Sequence, residues 1–384
     1  MKKFVHSLSA RQIILGISGA VSFLVFLVLW AVSSVLSGQQ LSQQMAGRWS
    51  DKKDAAQISC FFSPNMEMDL DSIEVFRHSV DDALVQASIT QESPNAGARL
   101  WTDAYSADGK VTLVSDKGKV EADAIGIGGD FFQFHPIQLL SGSYFSGNDL
   151  NQDFCVIDED AAWQLFGSND VAGMSVTIGG IPHMVTGVIR REEGRLQEAA
   201  GLDSTLVYVS YNTLTELGKS NGINHYEIVM PNPVSKFAYN YVKENLGKEE
   251  KEVEVVENTT RYGLLERLKV IGAFGTRSMN GKAIIYPYWE NIARGYEDVL
   301  ALITLFAMVF LLYPIVLLVI LIIVYWRHKT WTFKGVYLTV KDKGERGMEK
   351  LREKRKKKHK GKDQFWDSVE NFEEEVWNKD NSKF

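Results

Sequence analysis

The segment "LFGSNDVAGMSVTIGGIPHMVTGVI", residues 165–189, contains a helix end, a loop and two short strands. Gly179-Gly180 separates the strands, and adjacent glycines readily adopt the positive φ angles that a two-residue hairpin turn needs. The segment shows no obvious nucleophile, set of metal ligands or glycine-rich phosphate loop. It therefore predicts a β-hairpin module whose role is structural or interactive.

The residues before this hairpin predict a strand followed by a helix. In "DFCVIDEDAAWQLFG" an apolar strand pattern changes to a helical one at three acidic residues, Asp158, Glu159 and Asp160. Acidic side chains stabilise a helix N-terminus, because the backbone N–H groups there are unpaired. With the glycine-rich stretches further upstream, residues about 120–190 form a predicted β-rich block.

Strand and helix patterns alternate on both sides of this block. The helix predicted in "MDLDSIEVFRHSVDDALVQ" has an apolar face formed by Ile73, Phe76, Val80 and Leu84. The remaining predicted strands are "QISCFFS", "ARLWTDAYS", "KVTLVS", "STLVYVS" and "HYEIVM", and the remaining helices are "YNTLTELGKS" and "PVSKFAYNYVKENLG". A turn is predicted at "ADGK", residues 107–110. The pattern indicates an α+β domain with two α/β halves and an inserted β-rich subdomain.

Two long segments without charge flank this domain. Residues 13–36 and 299–326 contain no Asp, Glu, Lys or Arg, and at about 1.5 Å per residue each can cross a hydrocarbon layer of about 30 Å. We expect transmembrane helices at 13–36 and 299–326. A buried core helix is the alternative for each. A cleaved signal peptide is a further alternative for the first, although that segment exceeds the roughly 7–15 apolar residues of a signal sequence.

Basic residues predict the orientation. Residues 1–12 contain three Lys or Arg and no acid, and the tail, 327–384, has a net charge of +6. Because cytoplasmic flanks are enriched in Lys and Arg, we expect both termini in the cytoplasm and residues 37–298 outside the membrane. Residues 37–298 have a net charge of −15, which argues against nucleic-acid binding. Residues 37–56 are expected to extend the first helix as a polar stalk.

Aromatic, basic and small residues mark the predicted contacts with membrane. We expect interfacial anchors at Tyr286, Tyr288, Trp289, Tyr325, Trp326, Arg327 and Lys329. A core position for the first three is the alternative. Gly16, Gly19 and Ala20 form a small-residue patch suited to close helix packing. The alternative is that these residues have no role in packing. Pro314 lies inside the second apolar segment, where a neighbouring helix can satisfy the freed carbonyl.

The C-terminal tail divides into a basic and an acidic part. Up to residue 362 it is rich in Lys and Arg, which favours contact with anionic lipid headgroups. The remainder predicts an amphipathic helix that docks on another protein. Its apolar and aromatic residues are Phe365, Trp366, Val369, Phe372, Val376 and Trp377. A solvated, partly disordered end is the alternative.

The chain shows no signature of an enzyme. "LGKS", residues 217–220, lacks the upstream glycine of a nucleotide-binding loop, and "GIGGDF" lacks the third glycine of a dinucleotide fingerprint. "SDKK" stands without the companion motifs of serine enzymes. We therefore expect no catalytic residues and no cofactor. No metal site is expected either, although His135 and His183 could meet in the folded insertion. Cys60 and Cys155 are either buried thiols or a disulfide.

The order of several short motifs resembles the MacB-like periplasmic core domain of FtsX/MacB-class ABC transporter permeases. These are "GGDFF" at 128–132, Leu139, Gly142 and Phe145, Asp149, "LFG" at 165–167, "GMSVTIGG" at 173–180 and "VTGVI" at 185–189. The resemblance covers roughly residues 10–300. It implies a bacterial cell membrane, a β-rich subdomain inserted into a membrane-proximal α/β subdomain, and partners that are ABC ATPase or permease chains, in a homo- or hetero-oligomer.

The chain departs from that family in its membrane helices. Such permeases have three helices after the outer domain, whereas one apolar segment follows it here. We therefore expect a non-enzymatic subunit that transmits or senses conformational change within an export or signalling complex. The alternatives are a stand-alone membrane-anchored sensor that kept the outer domain but lost transport, and an envelope enzyme with a titratable cluster in an outer cleft.

Overall fold

A computed structural model describes most of the chain. The described residues are 10–52, 54–66, 68–90, 98–220, 222–246, 251–277, 283–328, 337–338 and 340–352. They form an eleven-stranded mixed sheet with packed helices, and two long apolar helices flank this β-rich domain. The predicted fold class is confirmed.

The helices are defined by their bounds. They are α1 Ala10–Gly38, α2 Met45–Trp49, α3 Leu70–Gln86, α4 Phe131–Phe134, α5 Glu159–Phe166, α6 Arg195–Ala199, α7 Tyr211–Leu217, α8 Phe237–Asn245, α9 Leu264–Ala273 and α10 Tyr288–His328. Short 3₁₀ helices lie at Leu41–Gln43 and Pro64–Met66. Among the described residues, those up to Leu312 form one compact unit, and those from Tyr313 onwards form a second.

The strands form one sheet. They are β1 Ala55–Phe62, β2 Thr102–Val114, β3 Lys119–Gly129, β4 Leu139–Gly142, β5 Phe154–Asp158, β6 Ser175–Ile178, β7 Ile181–Ile189, β8 Leu206–Ser210, β9 Lys219–Ser220, β10 His225–Pro231 and β11 Val253–Glu257. Their spatial order is β11-β1-β10-β2-β3-β8-β5-β7-β4. Strand β6 pairs with both β2 and β7, and strand β9 pairs with β2. The long β2–β3 hairpin belongs to both halves of the domain.

The first half combines early and late sequence. Strands β1, β10 and β11 pair antiparallel, and α3 and α8 cover one face of them. Helix α3 starts at Asp69, whose carboxylate accepts a hydrogen bond from the Ser72 backbone N–H. Its four predicted core residues are all buried, because their spacing of three and four places them on one helical face.

The second half contains the hairpin with which the sequence analysis began. Gly179 and Gly180 form its turn with φ angles of 57° and 87°, as predicted. Helix α5 starts at Asp158, which accepts from the Ala161 N–H at 2.8 Å, and ends at Gly167 with φ 75°. Strand β8 and helix α7 also pack in this half, which therefore continues past residue 190.

The turn predicted at residues 107–110 is wrong. Strand β2 runs through it unbroken and pairs with β3 from Ala104 to Val114. Gly109 is needed for close packing, because a Cβ there would lie 2.2 Å from the Lys219 carbonyl oxygen of β9. Pairing on both sides thus overrides the local turn preference.

The predicted polar stalk is also wrong. Helix α1 ends at Gly38, and the following turn and helix α2 fold against the domain, where Met45 and Ala46 are buried. The buried Gln57 side chain holds this segment: its Oε1 accepts from the Met45 N–H at 2.8 Å, and its Nε2 donates to the Ser42 carbonyl at 2.6 Å. These buried hydrogen bonds and apolar contacts stabilise packing over a free helical extension.

The second apolar helix begins earlier than predicted. Helix α10 starts at Tyr288 rather than at residue 299. Its first three turns carry the acidic residues Glu290, Glu297 and Asp298, and the apolar stretch follows without a break. One continuous helix therefore belongs both to the domain and to the segment long enough to cross a bilayer.

Candidate functional site: the junction of the domain with α10

Aromatic packing surrounds the first residues of α10. Trp289 is 5% exposed and packs against three rings, those of Phe131 at 5.4 Å, His135 at 4.5 Å and His225 at 5.2 Å between centroids. The Tyr288 and Tyr208 hydroxyls are 2.6 Å apart. An aromatic side chain of this size typically buries about 150–250 Å² of surface, and this burial favours attachment of the helix to the domain.

A buried ion pair lies one residue further along. Arg261 (5% exposed) donates from both terminal nitrogens to Glu290 (1% exposed), at 2.7 and 2.8 Å. Burial opposes the charge on the guanidinium, but the Glu290 carboxylate outweighs it and raises the pKa of Arg261. Such a two-point pair fixes orientation as well as distance.

The ion pair extends into a network along one side of α10. Arg294 donates to Glu290 at 2.7 Å and lies 3.3 Å from Glu254 of β11. Glu297 accepts from both Arg261 and Arg277. The first three turns of α10 are therefore tied to β11 and to the segments around α9 by charged groups.

A second branch leads from Arg261 into the sheet. Arg261 donates to the Asn258 side-chain oxygen at 3.1 Å, and the Asn258 amide donates to Ser59 Oγ at 2.6 Å. Ser59 in turn donates to Glu227 on β10. All four side chains are buried, so a continuous polar chain connects the helix start with the centre of the sheet.

The two long helices also contact each other within residues 10–312. Ser22 Oγ of α1 donates to the Phe310 carbonyl at 2.8 Å. Arg267 of α9 donates to Ser33 of α1 and approaches Thr304 of α10 at 3.5 Å. The buried positions Gly19, Ser22 and Ser33 mark the contact face of α1. A small apolar residue and two serines at helical spacing could have predicted it.

The residues predicted for helix packing occupy different environments. Gly19 is buried, whereas Gly16 and Ala20 are exposed. A Cβ at Gly16 would meet no atom within 4 Å among the described residues. Pro314 lies inside α10, in the second compact unit. The sequence analysis missed Ser22 and Ser33.

The residues predicted as membrane anchors also differ in their exposure. Trp289 is in the core, and Tyr286 and Tyr288 are half-buried, which is the core position that the sequence left open. The side chains of Tyr325, Trp326 and Arg327 are exposed at the far end of α10. Lys329 and the predicted docking residues Phe365, Trp366, Val369, Phe372, Val376 and Trp377 lie outside the described residues.

A cleft opens beside this junction. Its volume is about 690 Å³, and its lining includes Gln43, His135, Arg190, Glu192 and Trp289. Clefts of about 300–1,000 Å³ suit small ligands. A meeting of His135 with His183, which the sequence left open, is not among the described contacts: His183 bonds to Ile181 and Thr213. Instead His135 faces Glu227, which also faces His225.

The two cysteines are free and buried in different core clusters. Burial raises the pKa of both thiols, that of Cys155 to about 12. The disulfide alternative is therefore not what the structure shows, and neither thiol has the lowered pKa of a reactive cysteine.

Comparison with known proteins gives a consistent result. The model of the MacB-like periplasmic core domain matches residues 13–240. The macrolide export ATP-binding/permease protein MacB of Pasteurella multocida is 34% identical over 97 residues, and that of Agrobacterium fabrum is 32% identical over 116. These alignments cover 25% and 29% of this chain but 14% and 17% of the relatives, so the chain spans a small part of their length.

Solved structures match this chain at low identity and low TM-score. The periplasmic region of MacB from Actinobacillus actinomycetemcomitans gives a TM-score of 0.36 at 17% identity, covering 55% of this chain and 92% of that one. The extracellular domain of the ABC-type transporter YknZ from Gram-positive bacteria gives 0.34 at 20%, covering 52% and 99%.

The family match begins at residue 13, inside the apolar helix α1, and continues past β10. It therefore includes both this helix and most of the domain that follows it. The periplasmic placement of the related domains, together with two helices long enough to cross a bilayer, indicates a membrane protein with an extracytoplasmic domain. The chain belongs to the family of the MacB-like periplasmic core domain, found in ABC transporter permease-type proteins.

Proposed function

We propose that the chain is a non-enzymatic membrane subunit that passes conformational change between its membrane helices and its extracytoplasmic domain. Its partners would be ABC ATPase or permease chains in an export or signalling complex. The observation that carries this proposal is the buried Arg261–Glu290 pair, which joins α10 to the segment following β11 at 2.7 and 2.8 Å. A movement of α10 would shift the groups that surround β10 and β11.

The proposed topology follows the charge pattern. Both termini face the cytoplasm of a bacterial cell, the basic part of the tail contacts anionic lipids, and the residues 365–377 form a docking helix for a partner. The acidic outer part and the basic tail support this orientation. Protease added to intact cells should cut the outer domain and spare the tail; the opposite result would contradict it.

The partner proposal is tested by purification from native membranes in mild detergent. We expect an ATP-binding-cassette ATPase to co-purify with the full chain and to be lost or reduced on deletion of residues 363–384. Recovery of the chain alone, under conditions that preserve a known ABC complex from the same membranes, would contradict the proposal.

Transmission itself is tested by hydrogen exchange on the purified complex. We expect ATP to change the exchange rates of residues 225–231 and 288–298 in the wild type. In Glu290→Gln the change at 225–231 should disappear, because the link from α10 to the sheet is weakened. The Glu266→Gln variant is the control, since Glu266 pairs with the exposed Lys269 at the surface. An unchanged response in Glu290→Gln would contradict the proposed route.

A stand-alone sensor is the second candidate, and the cleft of about 690 Å³ favours it. A sensor would bind a ligand in this cleft without an ATPase. If ligand binding changes the hydrogen-exchange rates of the purified chain alone, and no ATPase is recovered with it, the result would support the sensor over the subunit.

A further inference from the structure

Three side chains of metal-binding type converge beneath Trp289. His225 and Glu227 lie two residues apart on β10, so both point to the same face of the sheet. His135, directly after α4, approaches from the neighbouring segment. His135 Nε2 is 3.2 Å from Glu227 Oε2, and His225 Nε2 is 3.3 Å from Glu227 Oε1. The candidate ligand atoms of all three lie within 4.8 Å of one another.

His135 Nε2 and His225 Nε2 each approach a different oxygen of Glu227, at distances compatible with an ion pair and with a shared metal ion. Among the described residues, His135 Nε2, His225 Nε2 and Glu227 Oε2 have no hydrogen bond of acceptable geometry, although all three atoms are buried. Buried polar atoms are rarely left without a partner. In tetrahedral zinc sites, bonds of about 2.0–2.1 Å place ligand atoms about 3.3 Å apart.

Second-sphere contacts support the ligand state of these groups. Ser106 Oγ lies 3.2 Å from His225 Nδ1, where it can accept that N–H and so leave Nε2 with a free lone pair. Ser59 donates to Glu227 Oε1, and Asn258 donates to Ser59. A neutral imidazole with a free lone pair is the form of histidine that binds a metal ion.

The site has a route of entry. His135 and Trp289 both line the cleft of about 690 Å³, whose other walls include Gln43 and Arg190. The ligand side chains themselves are 0–2% exposed. An ion can therefore arrive through the cleft and be held below it, away from bulk water.

We propose that His135, His225 and Glu227 bind one first-row transition metal ion, for which Zn²⁺ is the best match. Two imidazoles and one carboxylate suit zinc, whereas Ca²⁺ and Mg²⁺ prefer sets of oxygen ligands. Three protein ligands leave a fourth position for water. Because Trp289 packs on both histidine rings, the bound ion stabilises the start of α10.

The first experiment measures zinc in the tag-free full chain in mild detergent. After removal of metals with a chelator and dialysis against Zn²⁺ followed by metal-free buffer, we expect one zinc per chain by elemental analysis. Calcium and magnesium should not be retained. A wild-type protein that retains no zinc overturns the proposal, and the cluster is then a buried ion pair.

The location is tested with His135→Asn, His225→Asn and Glu227→Gln, each checked for native circular dichroism. We expect each to lose stoichiometric zinc. His183→Asn is the matched control, since His183 is also buried but bonds to Thr213, and it should retain zinc. Zinc retained by the three cluster variants, or lost equally by His183→Asn, contradicts the assignment.

Two further measurements separate ligation from a merely structural role. Ser106→Ala should fold normally and bind zinc ~10–100-fold more weakly, as is typical when a second-sphere partner of a histidine ligand is removed. Cobalt at the same site should give the intense visible absorption of four-coordinate Co²⁺, absent in His225→Asn. Unchanged affinity in Ser106→Ala together with the weak spectrum of six-coordinate cobalt overturns the proposed geometry.

Discussion

The two membrane helices join the extracytoplasmic domain in different ways. Helix α1 ends at Gly38, and a turn, a 3₁₀ helix and the short α2 lead to β1. Helix α10 enters the domain as one unbroken helix, and its first residues are held by Trp289 packing and by the Arg261–Glu290 pair. One connection is interrupted by turns, whereas the other is a single helix.

The two connections also differ in chemistry. On the α1 side, the buried Gln57 side chain bonds to backbone groups of residues 42 and 45, and Arg48 donates to the carbonyls of Gln133 and Phe134. The α10 connection combines buried rings with charge-assisted hydrogen bonds, which are about twice as strong as neutral ones. Substitutions on the two sides should therefore differ in size.

The largest effect is expected for Glu290→Ala. Removing the carboxylate leaves Arg261 buried with Glu297 as its remaining acidic partner, so the domain should lose up to ~3–5 kcal/mol of unfolding free energy. Chemical denaturation of the purified chain, followed by tryptophan fluorescence, measures this. Glu266→Ala at the exposed pair with Lys269 should cost at most ~1 kcal/mol. Equal losses for the two variants would show that the network does not anchor α10.

Gln57→Ala should have an intermediate effect on the α1 side. It leaves the Met45 N–H and the Ser42 carbonyl without their side-chain partner, at a cost of ~1–3 kcal/mol. We also expect faster proteolysis between residues 38 and 54, with little change near residue 288. A loss as large as that of Glu290→Ala would remove the distinction between the two connections.

Tyr208→Phe is a smaller change at the α10 junction. It removes the 2.6 Å hydrogen bond to Tyr288 but keeps the ring, so the expected loss is ~0.5–1.5 kcal/mol. Thermal unfolding is the measurement. Tyr105→Phe, on β2 of the same sheet, provides a control for loss of a tyrosine hydroxyl.

Ser22→Ala tests the contact between the helices inside the apolar region. The Ser22 Oγ bond to the Phe310 carbonyl should be worth only ~0.6 kcal/mol, the typical value for such bonds in membranes. Disulfide cross-linking of cysteines introduced near residues 19 and 307 can detect the loss. Ser34→Ala is the control, since Ser34 bonds within its own helix.

The reactivity of the two native thiols reports on the folding of each half of the domain. Cys60 and Cys155 are buried with raised pKa values, so neither should react with a thiol reagent at pH 7–8 unless the chain unfolds. In Glu290→Ala, faster labelling of Cys60 than of Cys155 would show that the first half opens first. Rapid labelling of the wild type would contradict the burial of both residues.

Elements with strong local patterns were predicted correctly. The apolar face of α3, the acidic start of α5 and the Gly179-Gly180 turn follow from spacing and backbone preference alone. The turn at residues 107–110 failed because partners on both edges of β2 outweigh local propensity. The predicted stalk is wrong because a polar composition does not reveal that Gln57 offers buried hydrogen bonds to this segment.

The amino-acid sequence by itself determined that two apolar segments flank an acidic α+β domain, since charge and hydrophobic periodicity are local properties of the chain. Tertiary structure alone decided that Trp289 lies in the core, that Glu290 meets Arg261, and that His135 meets His225 and Glu227. These partners are up to 92 positions apart in the case of His135 and Glu227. Only sheet pairing and helix packing bring them together, and no local pattern encodes that distance.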